Sequence, residues 1–273
     1  MTHVLVTGAA GGIGGAIAAE FADQGAFLTL VDRDPAALRR TGARLGTPAA
    51  TRAADLTDPD APTAVVEAAW AEHGPVDVLV NAAGVYPSLD MADVDAPAWD
   101  RLFAVNLRAP VLATAAFARL ATGQGRTGSV INISSGSAQR ARPGGGPYAS
   151  SKAALEMATR AAALELGAHG IRVNAVSPGF VPVASDCNPV SAQYAAAIGT
   201  NPLGRPGTPR DIARAVRWLA GSDASWITGE VLRVDGGSST GALHLPRIWQ
   251  PDDTRATLSG PMPAAATTEG HTR

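Results

Sequence analysis

"HVLVTGAAGGIGGAIAAEF", residues 3–21, runs from an apolar β-branched segment through a cluster of glycines into an alanine-rich segment with helical spacing. A strand, a tight turn and a helix in that order open a parallel βαβ unit, because a parallel partner strand can be reached only through a crossover. Gly8, Gly12 and Gly14 leave backbone N–H groups uncovered at the start of the helix. There the helix dipole favours an anion, and no side chain blocks a pyrophosphate. Glycine clusters also serve ordinary turns and close packing, so this one is informative through its context. Asp32 closes the next apolar run, "FLTLVD". It stands about twenty residues beyond the turn, where a carboxylate can accept hydrogen bonds from an adenosine ribose. That carboxylate repels a 2′-phosphate, so NAD is the expected cofactor. NADP is the lesser candidate, through Arg33 next door, whose guanidinium can pair with the phosphate if it turns inward.

Outward from this unit, "VDVLVNAAG", "SVINISS" and "IRVNAVSPG" repeat the design, each ending in turn residues and followed by helical periodicity. Alternation of this kind indicates an α/β fold, a doubly wound sheet of about seven parallel strands with helices on both faces, in a single domain. In "GTPRDIARAVRWLAG", Thr208 is placed to cap a helix, Pro209 to occupy its first position, Asp211 to sit at its positive end and Gly221 to follow its last turn. The pattern stops after "VLRVDGG", so the catalytic domain is expected over residues 1–240, followed by an extension over 241–273 rich in Pro, Thr and Ala.

The chain has 273 residues and a formal charge of −2, from 22 Lys plus Arg against 24 Asp plus Glu. No basic block can track a phosphate backbone, so nucleic acid is not an expected partner. The five histidines lack metal-ligand spacing and the single cysteine, Cys187, excludes an internal disulfide, so no metal and no cross-link are expected. No apolar run approaches bilayer length and no leader-like segment precedes "HVLVTG", so the expectation is a cytoplasmic protein without a membrane partner.

Tyr148 and Lys152, in "GGPYASSKAA", stand one turn apart on the same helix face. A phenol titrates near 10, and an ammonium about 4 Å away is worth roughly 4 kcal/mol at an effective dielectric near 20, so Lys152 is expected to lower Tyr148 by about two or three units. The phenol then comes into range for general acid–base work. A solvated tyrosine beside a solvated lysine would have the same spacing, and only the surroundings distinguish the two. Ser135, in "INISSG", lies at the C-terminal end of an apolar strand, where its hydroxyl can donate to a carbonyl oxygen. Asn106, in "AVNLRAP", interrupts an apolar helical stretch, and a buried amide there needs a partner such as a water or the Lys152 ammonium. Asp55 can hydrogen-bond an adenine or simply cap a turn, and Asn81 and Gly84 of "NAAG" are expected to shape the cofactor floor.

Taken together, "TGAAGGIG" (7–14), "NAAG" (81–84), Asn106, Ser135, "YASSK" (148–152), "SPG" (177–179) and "ITGEVLRVDGG" (227–237) resemble the compact single-domain short-chain dehydrogenase/reductase family, which has a Rossmann-like fold. The resemblance implies that Tyr148 exchanges the proton with the substrate oxygen and that Ser135 orients that oxygen. Lys152 would lower the tyrosine's pKa and bind the nicotinamide ribose, and Asn106 would hold a water that relays protons to bulk. The cofactor set it implies is Gly8, Gly12, Ile13, Gly14, Asp32, Arg33, Asp55, Leu56, Asn81, Ala82, Gly84, Tyr148, Lys152, Pro178, Gly179 and Val181. By geometric analogy the substrate side includes Tyr86, Ser137, Gln139 and Cys187, and the family implies a homo-oligomer, a dimer or tetramer.

Val183 departs from the family, in which a threonine that binds the nicotinamide carboxamide commonly stands at this position; the lost contact falls to Ser185 or to backbone. Residues 183–207 correspond to a substrate-covering lid. In the extension, Leu243, Leu245, Ile248 and Trp249 form an apolar island expected to dock on a neighbouring subunit. The function expected is an NAD(H)-dependent oxidoreductase that interconverts a secondary alcohol and a ketone. Two alternatives stand beside it: a lyase, dehydratase or isomerase using the same site without net redox, kept open by Val183, and a non-catalytic dinucleotide-binding sensor, against which the presence of Tyr148 and Lys152 counts.

Overall fold

A computed structural model of the chain describes residues 1–183, 190–243, 245 and 246. The strands are β1 (His3–Thr7), β2 (Phe27–Asp32), β3 (Ala49–Ala53), β4 (Val78–Asn81), β5 (Gly128–Ile133), β6 (Ile171–Pro178) and β7 (Val231–Val234). The helices are α1 (Gly12–Ala22), α2 (Pro35–Arg44), α3 (Ala61–His73), α4 (Ala96–Phe103), α5 (Ala109–Gly123), α6 (Gly146–Leu166), α7 (Ala192–Ile198) and α8 (Pro209–Ala220). The strands form one seven-stranded sheet in the order β3-β2-β1-β4-β5-β6-β7, and every pairing is parallel. The fold is thus Rossmann-like, as expected. Strand order reverses between β1 and β4, so the connections leaving their C-terminal ends diverge and open a crevice there.

Every residue of β1 and β4 is buried, whereas the edge strand β3 is half open. A strand covered on both faces must be apolar throughout, which is why the central strands read as continuous runs. On one face Val4, Val6, Leu28, Leu30 and Ile131 meet Ile17, Phe21, Ile212 and Val216 of α1 and α8. On the other, Leu5, Leu79, Val130 and Val173 meet Val65, Trp70 and Phe117 of α3 and α5. Helix α8 carries the expected caps: the Thr208 hydroxyl accepts the Asp211 N–H and the Asp211 carboxylate accepts the Thr208 N–H at 2.8 Å, closing a capping box.

The chain divides into Met1–Ser239 and Thr240–Arg273. In the second unit Leu243 and Leu245 are exposed, while Ile248 and Trp249 lie outside the described residues. No described helix is long and apolar enough to cross a membrane.

Two glycines of the first turn are required sterically. Gly8 adopts φ +69°, and a Cβ there would lie 2.7 Å from the Ala83 backbone. A Cβ on Gly14 would overlap the Gly8 carbonyl oxygen, far inside normal contact distance. Around Gly11 nothing lies within 4 Å of such a Cβ. Gly14→Ala is therefore expected to lower the unfolding free energy by about 1–3 kcal/mol through overpacking, with Gly11→Ala close to the parent; urea titrations of the three proteins measure the difference.

Candidate active site

The glycine turn, the β4–α4 connection and the start of α6 meet at the C-terminal edge of the sheet. Thr7, at the end of β1, accepts the N–H groups of Ala82 and Ala83 on its hydroxyl, both at 3.2 Å, which seats the "NAAG" segment on the glycine turn. A Cβ on Gly84 would lie 3.5 Å from Asn106 Oδ1 and 3.6 Å from Lys152 Nζ. Gly84 thus faces the Asn106 and Lys152 head groups on the side where another residue would carry its Cβ. Thr7 carries no signal of this role in the sequence beyond its place before Gly8.

At the cofactor end the Asp32 carboxylate accepts the Ala10 N–H at 3.0 Å and the Arg33 N–H at 2.7 Å. These bonds hold the carboxylate against the glycine turn. Oδ1 also accepts the Asp34 N–H at 3.4 Å, and Oδ2, which accepts only Ala10, keeps a further lone pair for a ribose hydroxyl. Arg33 is exposed. Asp55 is exposed and accepts the Thr57 N–H and hydroxyl at 2.9 and 2.8 Å, forming a local turn, while Leu56 beside it is buried. These two hydrogen bonds hold the Asp55 carboxyl below the usual range. Gly179 lies against the Asp235 backbone, 2.7 Å from a Cβ placed on it. The Gly207 N–H bonds Phe180, and a Cβ on Gly207 would lie 3.0 Å from Val181 Cγ2. Val183 faces Gly12, with Cγ1 3.6 Å from a Cβ placed there, so an aliphatic group covers the turn where the family commonly has a hydroxyl. Ser185 and Cys187 lie outside the described residues.

The Asn81 side chain is structural. Its amide is buried and donates to Asn132 Oδ1 at 2.9 Å, and Asn132 in turn donates to Thr159 Oγ1 at 2.9 Å. The side chain therefore serves the seam between the sheet and α6.

Asn106 corrects one expectation, that its amide pairs with Lys152. It is fully buried in a π-helical turn, Ala104–Arg108, between α4 and α5, where one extra residue in the turn shifts the hydrogen-bond ladder. Its Oδ1 accepts the Val85 N–H at 2.9 Å, and its Nδ2 donates to the Val85 carbonyl at 2.8 Å and to Ser151 Oγ at 3.1 Å. The amide is satisfied by protein, not by Lys152. Ser151 then donates to the Tyr148 carbonyl at 2.7 Å, so the π turn is tied to the first turn of α6.

Tyr148 is half-buried, its ring 6.2 Å from that of Tyr86 in an edge-to-face arrangement. The Ser135 side chain lies beside the Tyr148 phenol and favours the ionised form. Ser135 opens the 3-10 turn Gly136–Ala138 after β5 and accepts the Ser137 N–H at 3.2 Å. Of the other expected substrate-side residues, Ser137 is buried beneath this turn, and the exposed Gln139 accepts from Arg233 at 3.3 Å. From the opposite side Arg142 lies over the ring of Tyr194 in α7, 5.6 Å from its centroid.

The electrostatics correct a second expectation. Burial pushes the Tyr148 phenol above its ordinary value of 10.0, and the Ser135 side chain and the Arg142 charge only partly oppose it. Lys152 is buried, donates to the Ile133 carbonyl at 2.8 Å and stands 5.9 Å from the Tyr148 ring centroid. Burial lowers its own pKa to about 8. An ammonium beside a partly wet phenol would lower it; here burial is the larger effect on each of the two groups.

A family model described as "Enoyl-(Acyl carrier protein) reductase" matches residues 8–239. Galactitol 2-dehydrogenase (L-tagatose-forming) of Cereibacter sphaeroides is 38% identical over 237 residues, covering 85% of this chain and 92% of that protein. (3R)-3-hydroxyacyl-CoA dehydrogenase of Mus musculus is 37% identical over 244 residues, covering 85% and 94%. Among solved structures, a blue fluorescent protein from a metagenomic library in complex with NADPH superposes with TM-score 0.77 at 35% identity, covering 87% of this chain and 98% of that one.

The chain has three tyrosines, Tyr86, Tyr148 and Tyr194, so one phenol can be followed by difference. Subtracting the ultraviolet phenolate titration of Tyr148→Phe from that of the parent is expected to leave a midpoint above 10.0, with the phenol protonated at neutral pH. A midpoint below that value would mean that attraction by Lys152 outweighs burial.

Proposed function

The chain belongs to the short-chain dehydrogenase/reductase family and is an oxidoreductase, and from that premise we propose that it interconverts a secondary alcohol and a ketone with NAD(H). The observation that carries this reading is the convergence of Tyr148, Ser135 and buried Lys152 beside Gly84, at the same edge of the sheet as the bare glycine turn. The names of the relatives support the alcohol class, since galactitol oxidised to tagatose and a 3-hydroxyacyl group both react at a secondary carbinol.

The residues present fit a nicotinamide dinucleotide. The turn before α1 is bare of side chains where a Cβ would collide, α1 is 11 residues long, and Asp32 is fixed beside the turn. When bound, the cofactor supplies or takes the hydride. Tyr148, protonated at neutral pH, donates its proton to the substrate oxygen in reduction and must be ionised to accept it in oxidation. Ser135 donates to the same oxygen and holds it against the phenol. Lys152 places a positive charge beneath the site and holds it on the Ile133 carbonyl. For a raised phenol pKa the ionised fraction at neutral pH is small and grows tenfold per unit, so oxidation should accelerate steadily as pH rises while reduction does not.

The Asp32 charge favours NADH over NADPH. Met157 and Leu164 stand exposed on α6, which supports the homo-oligomer that the family implies.

Calorimetric titration with each reduced dinucleotide should favour NADH by about tenfold or more, equivalent to about 1.4 kcal/mol. Asp32→Ala should narrow that ratio; equal affinities in the parent would refute the NAD assignment. Tyr148→Phe should lower kcat by about a hundredfold or more in both directions, with NADH affinity retained.

A further inference from the structure

Helix α6 presents Tyr148, Lys152, Glu156 and Thr159 along one face, and four consecutive residues of the opposing chain receive them. Thr159 Oγ1 accepts from Asn132, Lys152 donates to the Ile133 carbonyl at 2.8 Å, Glu156 Oε1 accepts from the Ser134 hydroxyl at 2.8 Å, and Tyr148 meets Ser135. Three of these four contacts belong to the reacting groups or to the packing seam already described. The Glu156–Ser134 contact belongs to neither.

Both partners are buried, Glu156 at 5% and Ser134 at 3% exposure. The second carboxylate oxygen lies 4.0 Å from Arg160, whose side chain is half exposed. A carboxylate withdrawn from water with one neutral donor and one distant cation is a poor device for stability, since an apolar side chain of similar volume would pack there without a desolvation penalty. What the bond does achieve is geometric. Ser134 has its N–H on the Val176 carbonyl at 2.8 Å and its hydroxyl on Glu156, so the residue immediately before Ser135 is held from both the sheet and α6.

We propose that Glu156 is a positioning residue for the reaction: by accepting the Ser134 hydroxyl it sets the distance between Ser135 and Tyr148, the two groups that meet the substrate oxygen. The proposal rests on the assignment of these two groups to the site, and its test separates the failure of that assignment from its own. Leucine removes the acceptor from Glu156 and keeps the volume, glutamine keeps an acceptor oxygen, and alanine at Ser134 removes the donor.

In alcohol oxidation with NAD, Glu156→Leu and Ser134→Ala should each lower kcat by about tenfold or more while KM stays unchanged, because a small displacement of a positioned group acts on the transition state. Glu156→Gln should retain the activity of the parent. The double variant Glu156→Leu/Ser134→Ala should be no worse than either single variant, as for two halves of one contact. The second readout needs no turnover. The Tyr148 phenol midpoint, measured against Tyr148→Phe in each background, should rise in Glu156→Leu and Ser134→Ala and stay in place in Glu156→Gln, because the Ser135 contact that opposes burial is weakened. A Glu156→Leu protein with parental kcat and parental phenol midpoint overturns the proposal. So does a parallel fall of kcat and thermal midpoint that glutamine does not rescue. Phenol shifts in these variants, together with a parent that transfers no hydride to any alcohol or ketone tested, refute the oxidoreductase chemistry proposed above and leave this assignment standing.

Discussion

An ammonium group held out of water needs a partner, and Lys152 finds one in the Ile133 carbonyl oxygen at 2.8 Å. The C-terminal end of β5 can offer that oxygen only because the strand stops there: one residue farther, Ser134 still bonds the neighbouring strand, and beyond it the chain turns into the Ser135 cap. The ammonium therefore fixes α6 against the end of the strand, and Tyr148, one turn earlier on the same face, is delivered to Ser135. Burial depresses the lysine to about 8 and raises the phenol, so the same desolvation that positions the pair also sets its titration.

The cofactor end obeys a different constraint, the close approach of backbones. Gly14 packs on the Gly8 carbonyl and Gly8 on Ala83, so turn, helix and the "NAAG" segment form one rigid body without intervening side chains. Thr7 and Asp32 add bonds to the backbone of that body, from Ala82, Ala83 and Ala10. Where the reacting end is held by buried polar contacts, this end is held by the absence of atoms. The two join at Gly84, whose missing side chain leaves Asn106 and Lys152 within reach of the same small volume.

Much of this was legible in one dimension. Continuous apolar runs ending in turn residues specified buried parallel strands, and the helix α8 caps followed from Thr208, Asp211 and Gly221 alone. The spacing of Tyr148 and Lys152 placed them on one face. Extending that spacing by one more turn reaches Glu156 on the same face. Two features are not written in the spacing, the partner of Asn106 and the direction of the Tyr148 shift. Each depends on what a polar atom meets once buried, and Val85 and the desolvating surroundings of the phenol are distant in the chain or belong to no single residue.

The sequence by itself therefore determined the parallel sheet, its helical cover, the glycine turn and the residue types at the reacting end, because hydrophobic periodicity, glycine conformation and capping are local properties of the chain. Only the tertiary structure decided the partners of Asn81, Asn106 and Glu156 and the direction in which Tyr148 titrates. Hydrogen-bond pairing and desolvation are set by what packing brings within about 3 Å and by what it shuts out from water, and no spacing along the chain encodes either.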